Sequence, residues 1–173
     1  MTPMEKGAQF SDCRKYRYAL WRTWGEDSHV MFIGLNPSTA DETQDDPTIR
    51  RCIGYAKDWG FGGIYMLNIF AYRTTNPKIL RLVEDPIGRE NDEYLKMYHA
   101  KEGLNIACWG IWGSHLNRGQ RVIDLLGREY LSCFGLTKEG HPKHPLYLKR
   151  KIEPVALSLY LQGSDNGRIH ETT

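Results

Sequence analysis

Unbroken apolar runs alternate with amphipathic stretches along the chain, and this pattern predicts its secondary structure. Residues 30–33 form an apolar run that ends at Gly34, as expected of a strand buried on both faces of a parallel sheet. Asp46 and Pro47 then supply an N-cap and a first-turn proline, and apolar residues at helical spacing predict a helix over 47–59. The next apolar run, 64–70, predicts a second buried strand and thus a right-handed βαβ unit.

The alternation of strands and helices continues as far as residue 134. Helical periodicity predicts helices over 88–102 and 117–128, and apolar runs predict strands over 104–109 and 130–134. Residues 16–24 alternate in polarity and are rich in aromatic side chains, which is typical of an edge or lead-in strand.

These elements predict an α/β fold, a three-layer α/β/α sandwich around a roughly four-stranded parallel sheet. No repeat, linker or low-complexity block divides the chain, so we expect one domain over 1–173 with its core at about 16–160. The polar residues 163–173 are expected to form a flexible tail.

Composition indicates the class and cellular location of the protein but says little about its reaction. A chain of 173 residues with 40% hydrophobic and 25% charged residues is typical of a globular domain. Its apolar runs are too short to cross a bilayer, and its first residues lack an apolar secretory core, so we expect a cytoplasmic protein with no membrane partner. The net charge of +2 does not by itself indicate nucleic-acid binding.

The cysteines predict neither a disulfide framework nor a metal site. Cys13, Cys52, Cys108 and Cys133 are isolated from one another and from histidines at metal-ligand spacing. Cys108 and Cys133 fall in strand-like runs, so we expect them to be buried free thiols, and we expect neither a bound metal nor another cofactor.

Polar residues follow the predicted strands at the sheet edge where α/β proteins bind ligands. Gly34 allows close approach of a ligand, and Pro37 stiffens the loop that presents Asn36, although Asn-Pro is also an ordinary turn signal. Asn68 lies inside an apolar run, where its amide either bonds a neighbouring loop or reads a ligand such as the polar edge of a pyrimidine.

A third group of polar residues lies late in the chain. Residues 140–147 hold two histidines, two prolines and a lysine, which describes a rigid loop with an imidazole donor or a surface loop with incidental histidines. Arg73 and Lys143 are candidate phosphate contacts, and a solvated role is equally open for each.

Three of these segments resemble active-site motifs of the uracil-DNA glycosylase superfamily. Residues 34–38, Gly-Leu-Asn-Pro-Ser, are similar to the first motif of the mismatch-specific branch, in which a Gly-x-Asn-Pro loop follows the first strand. Residues 64–73 resemble the second-strand motif of the thermostable branch, and 144–147 resemble the superfamily's late His-Pro motif. The longer stretch 17–148 is also similar to a family of bacterial and phage domains of unknown function.

The glycosylase resemblance implies a base-excision site and assigns roles to particular residues. Asn36 would position the attacking water and His144 would donate to the leaving base, as the two catalytic residues. Asn68 would read the base and Phe70 would stack on it, while Leu146 and Tyr147 would fill the vacated stack. The base-binding group is Gly34, Leu35, Pro37, Ser38, Asn68 and Phe70, and the nucleic-acid contacts are Arg73, Lys143, Leu146 and Tyr147.

The chain departs from these motifs at three places. Tyr72 stands where the thermostable branch has a ligand cysteine, so we expect no iron-sulfur cluster. The first motif ends in Ser38 rather than glycine, and the acidic loop 41–46 that follows would repel a phosphate backbone.

We therefore expect a nucleobase-recognising protein whose partner is DNA or a nucleotide with a deaminated or modified base. The leading hypothesis is a hydrolase of the N-glycosidic bond that acts in DNA repair or DNA modification. One alternative is a binding module that recognises modified DNA or nucleotides without cutting them. Another is a Mg²⁺-dependent nucleotide enzyme that uses the carboxylates of the loop 41–46.

Overall fold

The computed structural model describes residues 3–100 and 103–160 and shows a mixed α/β fold built on a seven-stranded sheet. The strands are β1 (Glu5–Phe10), β2 (Arg17–Thr23), β3 (His29–Gly34), β4 (Gly63–Asn68), β5 (Asn105–Ala107), β6 (Ser132–Cys133) and β7 (Val155–Ala156). The α-helices are α1 (Pro47–Asp58), α2 (Asn91–Tyr98) and α3 (Arg118–Leu126). Short 3-10 helices span Pro77–Arg81, Ile111–Asn117, Arg128–Tyr130 and Leu157–Tyr160.

The strands lie in the order β1-β2-β4-β3-β5-β6-β7. Pairing is parallel between β4 and β3, β3 and β5, and β5 and β6, and it is antiparallel at both ends of the sheet. The sheet is therefore mixed and larger than the roughly four parallel strands that the sequence predicts. Because parallel strands all end at the same edge, the loops after β3, β4 and β5 come together there.

Each face of the sheet packs against helices. Val30 and Phe32 of β3 point to the side covered by α1, where Ile49, Cys52 and Ala56 complete one buried cluster. Met31 and Ile33 point to the opposite side, where α2 and α3 complete the other. The alternation of β3 side chains between two clusters explains why the whole run is apolar.

The predicted helices are present, with shorter bounds for two of them. The helix α1 begins at Pro47 as expected, and the side chain of Asp46 accepts a hydrogen bond from the Ile49 backbone N–H at 2.8 Å. The helix predicted over 88–102 begins only at Asn91, because Gly88 has a φ of +88° that ends the preceding turn, and His99 is already extended.

The strand predicted at 16–24 does not lie at the edge. It forms β2, which pairs on one side with β4 and on the other with β1, an unpredicted strand that takes the outer position. Gly7 of β1 lies opposite Trp21, whose ring covers it so closely that a Cβ there would lie 2.1 Å from the indole.

The predictions for the cysteines and for the C-terminal tail have different outcomes. Cys108 and Cys133 are buried free thiols as predicted, and Cys52 is buried as well, whereas Cys13 is exposed. The expected flexible tail, 163–173, lies outside the described residues. In the described ranges, no helix combines the length and the apolar character needed to span a membrane.

Candidate functional site

A cavity of about 370 Å³ opens where the parallel strands end. Its lining includes residues that follow β3, β4 and β5, together with one residue of the late His-Pro loop. Its lining includes six of the eight base-binding and catalytic candidates: Gly34, Leu35, Asn36, Ser38, Asn68 and His144. Three polar side chains that are far apart in sequence, Asn36, Asn68 and His144, therefore border one cavity.

Asn36 ties the loop after β3 to the loop after β4. Its Nδ2 donates to the carbonyl oxygens of Pro37 at 2.9 Å and Thr74 at 2.8 Å, and the Thr74 N–H returns a bond to Pro37. Both amide hydrogens are therefore engaged by backbone, which orients the side chain. Its Oδ1 is the part of the amide that remains to accept a hydrogen bond from a ligand or water.

Asn68 ends β4 and is only 1% exposed. Its Nδ2 has no hydrogen-bond partner among the residues that the structure describes. A buried amide donor without a partner destabilises the free protein, by about 1–3 kcal/mol in mutational data. Because Asn68 lines the cavity, a ligand acceptor there would satisfy this donor.

Gly34 leaves the space that the Asn68 side chain occupies. A Cβ at position 34 would lie 2.9 Å from Asn68 Oδ1 and 2.7 Å from the terminal methyl of Met66. The glycine is thus needed here for close packing, and its neighbours Ile69 and Phe70 donate backbone hydrogen bonds to Gly34 and Leu35 at 2.9 Å each.

His144 is held at the cavity by the backbone of its own loop. The Gly110 N–H after β5 donates to Pro142 at 2.8 Å, and the Lys143 N–H donates to Gly135 at 3.0 Å. The Leu146 N–H donates to His144 Nδ1 at 3.3 Å, which selects the tautomer with the proton on Nε2. The residue is solvent-exposed overall, yet desolvation by its neighbours lowers the pKa of the imidazole, against a smaller opposing effect of Asp46.

Arg17 also lines the cavity, and sequence reasoning did not single it out. The residue is 2% exposed, its Nη1 donates to the Ala40 carbonyl at 2.8 Å, and its buried Nε has no partner in the described ranges. Burial lowers the pKa of the guanidinium to about 10, so that it stays charged at neutral pH. A buried arginine in strand β2 has no distinctive sequence signal, because the same residue type is usually exposed.

A second, more open depression adjoins the cavity and shares Ser38, Thr74 and Thr75 with it. We call it the basic groove, because Arg14, Lys15 and Arg73 also line it. Arg73 donates to the Arg14 carbonyl at 3.2 Å and lies over the Phe10 ring, while its buried Nε lacks a partner among the described residues. The candidate phosphate contact Arg73 therefore borders the groove rather than the cavity.

The other site candidates lie outside the cavity lining. Phe70 is fully buried in the core, with its ring 5.5 Å from that of His115, so it is not available to stack on a ligand in the cavity. Pro37 is buried beneath its loop, and its carbonyl oxygen serves Asn36 and Thr74. Lys143 and the fully exposed Tyr147 lie on the surface of the late loop, and Leu146 is half-buried there.

The loop 41–46 is less free to repel a phosphate than its sequence suggests. Glu42 pairs with Arg14 at 2.7 Å, and Asp45 pairs with Lys6 at 3.1 Å and Arg22 at 2.6 Å. Backbone N–H groups of the loop bond Asp41 Oδ1 and lower the pKa of its carboxyl. Residues 3–100 and 103–160 contain no group of three or more side chains suited to hold a metal ion.

Comparison with known proteins adds a family to this geometry. No curated protein and no solved structure matches the chain. A family model described as protein of unknown function (DUF1643) matches residues 17–146, three quarters of the chain, and covers the cavity from Arg17 to His144. The chain belongs to the DUF1643 family of proteins of unknown function.

Proposed function

We propose that this protein binds a nucleobase in the cavity and hydrolyses the N-glycosidic bond of a uracil-like or modified pyrimidine. One observation carries the proposal: the buried Asn68 amide keeps a donor that has no partner among the described residues, at a cavity that Asn36 and His144 also line. A pyrimidine offers a carbonyl acceptor to such a donor, and ligand satisfaction of a buried amide is a strong source of selectivity.

The size and lining of the cavity suit a small aromatic ligand. A volume of about 370 Å³ lies near the lower end of the range of about 300–1,000 Å³ that ligand pockets show. Trp112 belongs to the lining, is only partly buried, and offers aromatic surface in place of the buried Phe70. Stacking against an indole, with polar reading by Asn68, is a common way to hold a base removed from a stack.

The proposed reaction uses Asn36 and His144 in separate steps. Asn36 Oδ1 accepts a hydrogen bond from a water and directs its oxygen at the sugar carbon, where the bond to the base nitrogen breaks. The hydroxyl joins the sugar, the water proton passes to solvent, and the base leaves as an anion. His144 Nε2–H donates to the carbonyl oxygen of the departing base, which stabilises the developing charge.

The neutral state of His144 supports its proposed role as a hydrogen-bond donor. Its Nδ1 already accepts a hydrogen bond from Leu146, so the neutral imidazole presents a donor without needing a second proton. Since desolvation lowers its pKa, this form predominates at neutral pH. An amide cannot act as a general base near pH 7, so rate enhancement at this site would come from positioning and charge stabilisation.

Two surface features support a polynucleotide as substrate. Tyr147 is fully exposed with a φ of +67°, at the loop that carries His144, and would occupy the space of an extruded base together with Leu146. Arg73 at the basic groove and Lys143 on the late loop would contact phosphates.

The test is a cleavage assay with excess protein on single-stranded and duplex DNA that contains uracil, mismatched thymine or modified pyrimidines. We expect alkali-sensitive abasic sites with the wild type, and loss of about 10²-fold or more in rate for Asn36→Ala. The variant Gln120→Ala is a control that also removes a side-chain amide, because Gln120 is exposed in α3 and lies outside the cavity lining. Absence of abasic sites on every substrate would refute the hydrolase, while base-dependent binding that persists in Asn36→Ala would favour a binding module.

A further inference from the structure

Arg17 is an unusual cation for a protein interior because no carboxylate of residues 3–100 and 103–160 pairs with it. Its side chain is buried at the cavity, and none of the ion pairs among the described residues includes it. Asp46 and Asp41 act on it only over longer distances. Buried charges in proteins are normally paired or bound to a ligand, so the free chain leaves this guanidinium incompletely compensated.

A second arginine increases the positive charge at the same place. Arg73 is close enough to Arg17 to lower the pKa of its guanidinium, and its own Nε is buried without a partner in the described part of the chain. Arg17 lines the cavity and Arg73 lines the basic groove, so the two cations lie in adjoining depressions. Two like charges placed near each other are stabilised by an anion between them.

The residues that the two depressions share carry hydroxyl side chains. Ser38, Thr74 and Thr75 border both depressions, and Thr48 in the first turn of α1 borders the cavity. The Thr74 hydroxyl already donates to the Asn76 carbonyl at 3.2 Å, so Ser38, Thr75 and Thr48 are the hydroxyl donors offered to a ligand. Hydroxyl donors beside guanidinium groups are the usual setting of a phosphate. The carboxylate in the lining, Asp46, directs its Oδ1 to the Ile49 N–H of α1.

We propose that Arg17 is the principal cation of a phosphate-binding subsite at the junction of the cavity and the basic groove. This inference rests on the proposed function for the base, and it adds that the substrate carries a phosphate next to that base. The phosphate belongs either to a free nucleotide or to a nucleic-acid strand, and a free base or nucleoside lacks it.

Calorimetric titration of the intact chain at low salt tests the subsite. The probes are deoxyuridine, deoxyuridine 5′-monophosphate, inorganic phosphate and a single-stranded trinucleotide with deoxyuridine at its centre. We expect the monophosphate or the trinucleotide to bind at least about tenfold more tightly than deoxyuridine, as for a hydrogen bond to a charged group. The tighter of the two identifies a free nucleotide or a strand as the source of the phosphate.

Variants assign the preference to Arg17. Arg17→Gln should reduce the preference for phosphate to about onefold, and Arg17→Lys should keep part of it. Arg121→Gln is the matched control, because it removes the same charge from an exposed position of α3 outside both depressions. If Arg17→Gln does not fold, the wild-type preference and its partial retention in Arg17→Lys decide the matter.

The outcomes separate the two proposals. Equal affinity of the wild type for deoxyuridine and both phosphate-bearing probes overturns the subsite and leaves the base pocket standing. A full preference in folded Arg17→Gln also overturns it. Arg17-dependent binding of inorganic phosphate without any binding of deoxyuridine supports the subsite and counts against the proposed base recognition. If none of the probes binds, both proposals fail.

Discussion

Replacing Asn68 by leucine tests whether its amide serves a ligand or the fold. Leucine has nearly the same shape as asparagine and removes the buried Nδ2 donor that lacks a partner in the described chain. The backbone carbonyl of residue 68, which accepts a hydrogen bond from Asn91 at 2.9 Å, is unaffected by this change. We therefore expect the variant to be more stable than the wild type while losing affinity for the base.

The expected increase in stability follows from the unpaired donor of Asn68. A buried amide group without a partner lowers the free energy of unfolding by about 1–3 kcal/mol, and we expect its replacement by an apolar side chain to restore about 1 kcal/mol. For a chain of this size, that raises the melting temperature by about 2–4 °C. Urea unfolding followed by circular dichroism gives the change in free energy directly, provided the slope of the transition stays constant.

Asn105→Leu is a control with the same substitution and the same burial. Asn105 is also 1% exposed, but its Nδ2 donates to Ala100 at 2.7 Å and to Gly103 and Tyr130 at 3.2 Å. Its replacement leaves three carbonyl oxygens without this donor, which outweighs the removal of its own Oδ1, a buried acceptor without a partner among the described residues. We therefore expect a loss of about 1–3 kcal/mol. If Asn68→Leu destabilises the protein as much as Asn105→Leu does, the Asn68 amide is structural and the reasoning fails.

Three further predictions follow from single residues. Gly34→Ala places a methyl against Asn68 Oδ1, so it should weaken base binding at least tenfold and cost about 1–3 kcal/mol in urea unfolding, whereas unchanged binding would contradict the packing. NMR of labelled imidazoles should show the His144 pKa below its usual value and the Nε2–H tautomer when neutral. Because the pKa of His144 is lower in the folded than in the unfolded state, its contribution to the free energy of unfolding is fully present above about pH 6.5 and is lost as the pH falls below that value. His144→Gln should remove this contribution to the pH dependence of stability. A thiol reagent should label only Cys13 in the native protein, since the other cysteines are buried, and all four after unfolding.

The sequence predicts the centre of this fold well because the relevant signals are local. The apolar run of β3, the Asp46 cap of α1 and the apolar run of β4 each depend on a few adjacent residues, and each appears where expected. The strand β1 was missed because its residues Glu5–Phe10 show no apolar alternation, and its position depends on a glycine lying beneath Trp21. The strand β7 has two residues, which is too short for any periodicity.

The site was only partly predictable for a related reason. The order of the three motifs along the chain indicated Asn36, Asn68 and His144 as site residues, and the structure places all three around one cavity. Phe70 continues the apolar run of β4, and a run of this kind does not tell whether its last aromatic lines a cavity or fills the core. Arg17 was missed because its burial results from the distant loop carbonyl of Ala40, which a local pattern does not reveal.

The balance of donors and acceptors at the cavity favours an acceptor-rich ligand. Asn68 Nδ2 and Arg17 Nε are donors without partners among the described residues, and His144 presents a third donor through its tautomer. Asn36 Oδ1 is left as an acceptor because backbone oxygens engage its Nδ2. A magnesium ion would need the reverse, a set of oxygen ligands, whereas Asp41 and Asp45 direct oxygens to backbone N–H groups and to Arg22. Carbonyl oxygens of a pyrimidine and oxygens of a phosphate are acceptors of the required kind, so the same unpaired donors support both the base pocket and the adjoining phosphate subsite.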